Sequence, residues 1–265
     1  MRIYISADIE GVTGVTHWDE TDIGKPGYEA ARRQLVAEVR AACAGAAEAG
    51  AQEILVKDAH DTGRNLTPVD IPPGARLLRG WTGHPLAMVE ELDSSFTGLV
   101  LVGYHAPAGS VGSPLAHSLS TRLHALTLNG EPASELRLAA YSAAYVGVPL
   151  LFVSGDEEIC DEARRLNPAL GTFAVKRGVG GATLSVDAER AVAGIRDGVA
   201  AAVARDPQQG KIGLPPQFTV EVTYRDHPQA HRASFYPGAT LPTPRTVGFE
   251  TPDFMEVLRF LLFAA

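Results

Sequence analysis

Residues 1–11 read M-R-I-Y-I-S-A-D-I-E-G, an apolar run that ends directly in two carboxylates. The apolar part, residues 3–7, is rich in β-branched and aromatic side chains, which predicts a buried strand. In an extended chain, residues i and i+2 point the same way. Asp8 and Glu10 can therefore project together from the end of this strand.

The same pattern, an apolar run that ends in a polar group, occurs twice more. Residues 53–57 lead into His60, and residues 99–103 lead into His105. Helical patterns separate the runs, above all the alanine-rich residues 28–49. Strands that alternate with helices predict an α/β fold, with a mainly parallel sheet covered by helices in three layers. Such sheets bind ligands at the carboxyl ends of their strands, where all these groups would lie.

The rest of the chain continues the alternation and ends in a smaller piece. The Asn-Gly dipeptide at residues 129–130 predicts a hairpin, and the proline-rich residues 213–216 predict a linker. We therefore predict a metal-binding α/β domain over residues 1–210 and a smaller α+β subdomain over residues 211–265. Further strands are predicted over residues 75–79, 149–154, 172–176, 218–224 and 245–249, and further helices over residues 85–92, 134–146, 156–166, 187–205 and 252–263.

Composition excludes several classes of function. The 265 residues carry a formal net charge of −8 and contain no run of basic residues, which argues against nucleic acid and against anionic membranes as partners. The only cysteines, Cys43 and Cys160, lie in helical patterns and suggest no disulfide framework. No secretory leader or membrane-length apolar run is visible. We expect a cytoplasmic globular protein.

Carboxylates and imidazoles together form a ligand set that suits Zn²⁺, and also Mn²⁺ or Co²⁺. Carboxylates brought together without a cation repel each other and tend to take up protons. An acidic residue or a histidine at one strand end is usually a cap, a surface group or a core residue. The agreement of three strand ends is what predicts a metal site, and by itself it does not name a reaction.

These motifs resemble, in order, those of the D-aminopeptidase family of dinuclear zinc peptidases. The opening S-A-D-I-E-G of residues 6–11 fits the family signature S-x-D-x-E-G. The likeness holds as far as residue 176 and thins beyond it. It continues through D-A-H at residues 58–60, G-Y-H-A at 103–106, A-H-S at 116–118 and G-D at 155–156.

The resemblance implies an enzyme that releases an N-terminal D-amino acid, such as D-alanine, from short peptides. It also implies two zinc ions per chain and a homodecamer with enclosed active sites. A water shared by two zinc ions would lose a proton near neutral pH and supply a bridging hydroxide as the nucleophile. His117 falls on the catalytic histidine, which would move protons or stabilise the oxyanion. The implied zinc ligands are Asp8, which looks like the bridging carboxylate, Glu10, His60, His105 and Glu135.

Other positions carry weaker expectations. Residues 134–139 read S-E-L-R-L-A where the family typically has G-E-x-G-x-N, so Arg137 and Ala139 replace a glycine and an asparagine and bear on substrate preference. Asp58 is expected to orient His60. Lys176 ends a predicted strand, where it could assist substrate binding or be solvated. The C-terminal helix is apolar almost all round, which suggests contact with another subunit.

Alternative functions remain open at this point. Another metal-dependent amide or ester hydrolase, or an L-aminopeptidase, would differ in its activity on matched D- and L-peptides. A nucleoside phosphorylase or hydrolase would share the sheet but would leave the acid–histidine cluster unexplained. A metal-stabilised oligomer without enzymatic activity would bind zinc and cleave no peptide.

Overall fold

The computed structural model describes residues 1–265, which form twelve strands in two sheets. Most strands lie where the apolar runs predict them. The strands are β1 (Arg2–Ala7), β2 (Glu53–Asp58), β3 (Ala75–Leu78), β4 (Gly98–Tyr104), β5 (Leu123–Leu128), β6 (Glu131–Pro132), β7 (Leu150–Asp156), β8 (Gly171–Val179), β9 (Ala182–Ser185), β10 (Phe218–Tyr224), β11 (Thr240–Thr243) and β12 (Thr246–Thr251).

Six α-helices connect and cover these strands. Side-chain caps fix several of their starts, because an oxygen at the N-cap accepts a hydrogen bond from a backbone N–H of the first turn. Ser134, Asp156 and Asp187 serve in this way. The helices are α1 (Tyr28–Glu48), α2 (Glu135–Tyr145), α3 (Glu157–Leu166), α4 (Ala188–Val203), α5 (His227–Ala233) and α6 (Phe254–Ala264), with short 3-10 turns at Trp18–Glu20, Ala87–Val89 and Pro207–Gly210.

The larger sheet has the strand order β3-β2-β1-β4-β7-β8-β9 and is parallel except for β9. Its central strands are buried on both faces, because α1 and α4 pack on one side and α2, α3 and the second sheet on the other. Alternate residues of β1 serve the two sides: Ile3 and Ile5 face α1, and Tyr4 faces the opposite layer. The predicted α/β class, with helices on both sides of a mainly parallel sheet, is confirmed.

The smaller sheet is antiparallel, with the order β11-β12-β10-β5-β6. Its hairpin β5–β6 comes from the middle of the chain and joins the C-terminal strands through β5–β10 pairing, for example Leu126 opposite Val222. Helices α2 and α6 lie against this sheet. The smaller sheet is thus not built from residues 211–265 alone. The division at residue 211 stays a prediction.

The structure differs from the prediction between residues 85 and 92, where it has only the 3-10 turn Ala87–Val89 and no α-helix. Ala87 and Glu91 both have positive φ, at 45° and 64°, and such residues cannot continue a right-handed helix. Among all the helices, none is long and apolar enough to cross a membrane.

Close backbone contact joins the ends of β1 and β4. The N–H of Gly11 donates to the carbonyl of Gly103 at 2.8 Å. A Cβ at Gly11 would lie 1.8 Å from the carbonyl oxygen of Tyr104, so only glycine fits there. Gly103 has φ of 74°, in the left-handed region that favours glycine. These two glycines bring the loop after β1 against the end of β4.

Candidate metal centre

Three neighbouring strands deliver four of the predicted residues to one place. Asp8 and Glu10 follow β1, His60 follows β2 and His105 follows β4, and these strands are adjacent in the sheet. All four side chains are buried. His60 Nδ1 lies 3.3 Å from Asp8 Oδ1 and 2.9 Å from Glu10 Oε2, and His105 Nε2 lies 3.6 Å from Asp8 Oδ2.

Glu135 reaches the same place from another layer. It is the first residue of α2, and the Ser134 hydroxyl fixes the start of that helix by accepting a hydrogen bond from the Arg137 N–H at 3.0 Å. Glu135 Oε2 lies 3.3 Å from His105 Nε2. Its Oε1 accepts a hydrogen bond from the Leu119 N–H at 2.7 Å. Leu119 has a positive φ of 61°. The five predicted ligands therefore form one cluster, and their role as ligands stays a prediction.

The tautomers of two histidines follow from their partners. His60 Nε2 lies 3.0 Å from the Thr21 carbonyl, and His105 Nδ1 lies 2.9 Å from the Ala106 carbonyl. A carbonyl can only accept, so each of these nitrogens must carry the proton. In the neutral ring the other nitrogen then has a lone pair, and in both residues it faces Asp8. A lone pair that faces a carboxylate is repelled by it, and either a second ring proton or a bound metal ion removes this repulsion.

The donor set fits a divalent metal ion. Asp8 Oδ2 and His105 Nε2 are buried and have no hydrogen-bond partner, and Glu10 Oε2 has none while the His60 Nδ1 that faces it at 2.9 Å is unprotonated. Buried polar atoms without partners are rare, because each costs about 1–3 kcal/mol. Oxygen and nitrogen atoms of this kind are the ligands that Zn²⁺ takes. Two groups of potential ligands share His105: one is Asp8, Glu10 and His105, and the other is His105, His117 and Glu135.

Charge balance at the cluster points the same way. Burial and the neighbouring Glu10 hold the pKa of Asp8 well above its usual range. Burial opposes the cationic form of His105, but Glu135 and Asp8 outweigh it and raise the pKa of His105 to about 10. Protons on the imidazoles and a bound dication are alternative ways to balance these carboxylates. Binding of a dication would therefore release protons.

His117 lies beside the cluster with its ring stacked on that of His105, at 4.3 Å between centroids. Its Nδ1 lies 3.0 Å from the Leu115 carbonyl and so carries the proton. Its Nε2 lies 4.0 Å from Glu10 Oε1 and 3.6 Å from Glu135 Oε1. The unprotonated nitrogen of the neutral ring thus faces the cluster, where it can accept a proton or bind a metal. The catalytic role of His117 stays a prediction.

Asp58 acts on His60 through Asn65 and does not contact the imidazole. Its Oδ1 accepts a hydrogen bond from Asn65 Nδ2 at 2.9 Å, and its Oδ2 accepts one from the Leu66 N–H at 2.6 Å. Asn65 Nδ2 also donates to the His60 backbone carbonyl at 2.8 Å. Asp58 therefore positions the His60 backbone through Asn65, while the Thr21 carbonyl holds the imidazole.

Lys176 is neither solvated nor available to a substrate, so both expectations for it were wrong. Its ammonium is buried and donates to the backbone carbonyls of Glu10 and Val15. Burial lowers the pKa of Lys176 to about 8, against the opposing effect of Asp156 and Glu38. The lysine thus fastens the loop that carries Glu10.

A cavity of about 1090 Å³ opens onto the cluster. Its lining includes the aromatic rings of Trp18 and Trp81 and the guanidinium-bearing residues Arg122 and Arg225. Trp18 also packs against the His117 ring in a T-shaped arrangement, with 5.2 Å between the ring centroids. Sequence reasoning missed these residues, and Thr21 with them. No local pattern marks them, because they lie in loops or at strand ends distant in sequence.

The chain is similar to known proteins over almost its whole length. A family model described as D-aminopeptidase matches residues 1–263. A D-aminopeptidase of Bacillus subtilis (strain 168) is 32% identical over 269 residues, which cover 99% of this chain and 96% of that protein. The solved structure of the Zn-dependent D-aminopeptidase DppA from Bacillus subtilis, described as a self-compartmentalizing protease, has a TM-score of 0.90. It is 31% identical, and the match covers 99% of this chain and 96% of that one.

Proposed function

The chain belongs to the D-aminopeptidase family, and from that premise we propose that it is a zinc-dependent aminopeptidase that removes an N-terminal D-amino acid from short peptides. The observation that carries this proposal is the pair of buried atoms without partners, Asp8 Oδ2 and His105 Nε2, beside a large cavity. Similarity to a Zn-dependent D-aminopeptidase supports the choice of metal and of reaction.

Asp8, Glu10, His60, His105 and Glu135 would hold the metal. The two oxygens of Asp8 face different imidazoles, Oδ1 that of His60 and Oδ2 that of His105, which favours two zinc ions per chain. Mn²⁺ and Co²⁺ accept the same ligands and are proposed as substitutes. Zinc in such a site supplies Lewis acidity toward a carbonyl and acidifies water. The protein holds the ligands rigidly through the Thr21 and Ala106 carbonyls, which fix two imidazoles.

His117 is the residue proposed to move protons. Its Nδ1–H donates to the Leu115 carbonyl, which leaves Nε2 as the base in the neutral ring. The side chain is 13% exposed, so it reaches the cavity while the ligand side chains are almost fully buried. A base there can take a proton from the attacking water and return it to the leaving amine.

The cavity suits a short peptide with charges at both ends. Asp22 and Asp61 line the cavity outside the proposed ligand set and can attract a free ammonium group. Arg122 and Arg225 line the same cavity, and the Arg225 N–H donates to the Arg122 carbonyl at 3.0 Å, so the two residues are neighbours. A guanidinium group in this cavity can bind a terminal carboxylate.

We also propose assembly into a homo-oligomer, with the decamer as the specific expectation. The structural relative is described as self-compartmentalizing. On α6, Phe263 is 74% exposed and Leu262 is 43% exposed, which leaves apolar surface for a second copy. Light scattering should report a particle several times the 28.0 kDa chain, and a monomer would contradict the assembly. The cytoplasm stays our prediction for its location.

One preparation should be used for metal analysis and for activity on matched D- and L-alanyl peptides. We expect bound zinc, hydrolysis of the D-peptide, loss of activity on chelation and its return with zinc or manganese. Preferred cleavage of the L-peptide would indicate an L-aminopeptidase. Tight zinc without turnover of any peptide would indicate a metal-stabilised binding protein.

A further inference from the structure

A second cavity, of about 190 Å³, lies next to the first and is strongly apolar. It lies between α2, α6 and the 3-10 turn Ala87–Val89, and ten of its thirteen lining residues are hydrophobic. Met88, Leu119 and Glu135 line both cavities. The apolar cavity therefore begins at Glu135, one of the proposed zinc ligands.

The size and lining of this cavity define what it can bind. A dry apolar cavity of about 150 Å³ is enough to hold benzene. Burying an aliphatic or aromatic side chain in such a place contributes about 1.5–3 kcal/mol. The Glu135 carboxylate at its edge already accepts a hydrogen bond from Leu119 and faces His105. The one other polar residue of the lining is Ser142, whose hydroxyl is neutral, so the side chains of the lining offer no charged partner besides Glu135.

Ala139 is the residue that keeps this space open. It follows Glu135 by one helical turn, so the two residues share a face of α2. Ala139 is buried and lines the apolar cavity together with Leu138 and Leu261. A longer side chain at this position would project into the space beside Glu135.

We propose that this apolar cavity binds the side chain of the substrate's N-terminal residue and that the enzyme prefers branched aliphatic or aromatic D-residues to D-alanine. The inference rests on the proposed function, because it assumes that the first residue of a peptide lies at the metal centre. Its Cα then lies beside Glu135, and its side chain has the adjoining apolar space to enter.

The test compares tripeptides X-Gly-Gly in which X is D-alanine, D-leucine or D-phenylalanine, on the zinc-loaded protein. We expect kcat/KM for the best large residue to exceed that for D-alanine on the order of 10- to 100-fold, which corresponds to the burial of one side chain. Equal or better cleavage of D-alanine would overturn the subsite and leave the proposed function intact. Failure to cleave any peptide would overturn both.

A positional control decides which side chain enters the cavity. D-Alanyl peptides with glycine, D-leucine or D-phenylalanine at the second position keep the first residue constant. We expect their kcat/KM values to agree within a few fold. If the gain appears at the second position and not at the first, the cavity serves the residue after the cleaved bond and the proposal is wrong.

The variant Ala139→Leu should fill the cavity and abolish the preference. The ratio of kcat/KM for the large residue to that for D-alanine should fall to about 1 or below, with zinc content retained. Ala144→Leu is the matched control, since Ala144 is on the same helix, is only partly buried and lines neither cavity. It should keep the parental ratio. A parental ratio in zinc-loaded Ala139→Leu would contradict the proposal, and if that variant fails to fold, the peptide series on the parent still decides.

Discussion

Asp8 and Asp156 occupy similar positions in the larger sheet but have different hydrogen-bonding roles. Each is a buried acid at the carboxyl end of a parallel strand, β1 or β7. Both oxygens of Asp156 accept hydrogen bonds, from the Ile159 N–H at 2.8 Å and the Ala106 N–H at 2.7 Å. Asp8 has one such bond, from Ile9, and its Oδ2 has none. A strand-end position thus predicts burial, whereas an unsatisfied oxygen distinguishes a candidate ligand from a structural cap.

The largest effect is expected from Asp8→Ala. If Asp8 bridges the metals, the variant should lose both zinc ions, and its activity should fall to that of the chelated parent. In chelated protein, however, its free energy of unfolding should fall by less than that of Asp156→Ala, because only the Ile9 N–H loses a hydrogen bond and the other carboxylate oxygen has no partner in the parent. His60→Ala should lose mainly one ion. Full metal occupancy in Asp8→Ala, by elemental analysis, would refute the bridging role.

His117→Ala should separate catalysis from metal binding. We expect kcat to fall on the order of 10²–10⁴-fold while zinc per chain and assembly are retained, since that range is typical of a positioned acid–base group. A drop in zinc would instead make His117 a ligand, as its place beside His105 and Glu135 allows. A kcat within a few fold of the parent would show that His117 has no catalytic role.

Asp156→Ala tests the other half of the comparison. The substitution removes the cap of α3 and leaves the Ala106 N–H without its partner. Those losses sum to a destabilisation of about 2–4 kcal/mol. Urea unfolding of the chelated variant beside chelated Asp8→Ala measures the contrast. If the two lose equal stability, hydrogen-bond satisfaction does not separate their roles.

The smallest effect is expected from Ser134→Ala, which should cost about 1 kcal/mol as the loss of an N-cap. Because Ser134 fixes the start of the helix that carries Glu135, zinc affinity should also weaken slightly. Asp187→Ala is the matched control, since Asp187 caps α4 through the Arg190 N–H and has no contact with the cluster. It should cost similar stability and leave zinc affinity as in the parent. Equal zinc affinities in both variants would count against the link from cap to metal.

Local sequence patterns predicted the larger sheet well, because burial on both faces produces continuous apolar runs such as β4 and β7. They also predicted that Asp8, Glu10, His60 and His105 meet, since adjacent parallel strands end at the same edge. Such patterns could not predict the pairing of β5 with β10, because the two strands are far apart in sequence. Glu135 was assigned by resemblance alone, and its approach depends on that distant pairing.

The direction of individual side chains was the second feature that sequence patterns could not predict. Asp58 was expected to orient His60, but the sequence did not show the route, in which the Asp58 oxygens accept from Asn65 and Leu66. The ammonium of Lys176 turns inward to two backbone carbonyls. The hydrogen-bond partners of such side chains depend on which donors and acceptors the tertiary fold brings close. The hydrophobic period of the sequence and the spacing of its motifs do not predict them.

The origin of Glu135 in a different layer has a consequence for the folding pathway. Helix α2 directly follows the β5–β6 hairpin, which is held by β10 from the C-terminal part of the chain. Closing so long a loop is slow and tends to come late in folding. The complete ligand set would then form after the rate-limiting barrier. An ion that binds only at that point hardly changes the folding rate and instead slows unfolding. Chevron plots with and without zinc should therefore differ in their unfolding limbs.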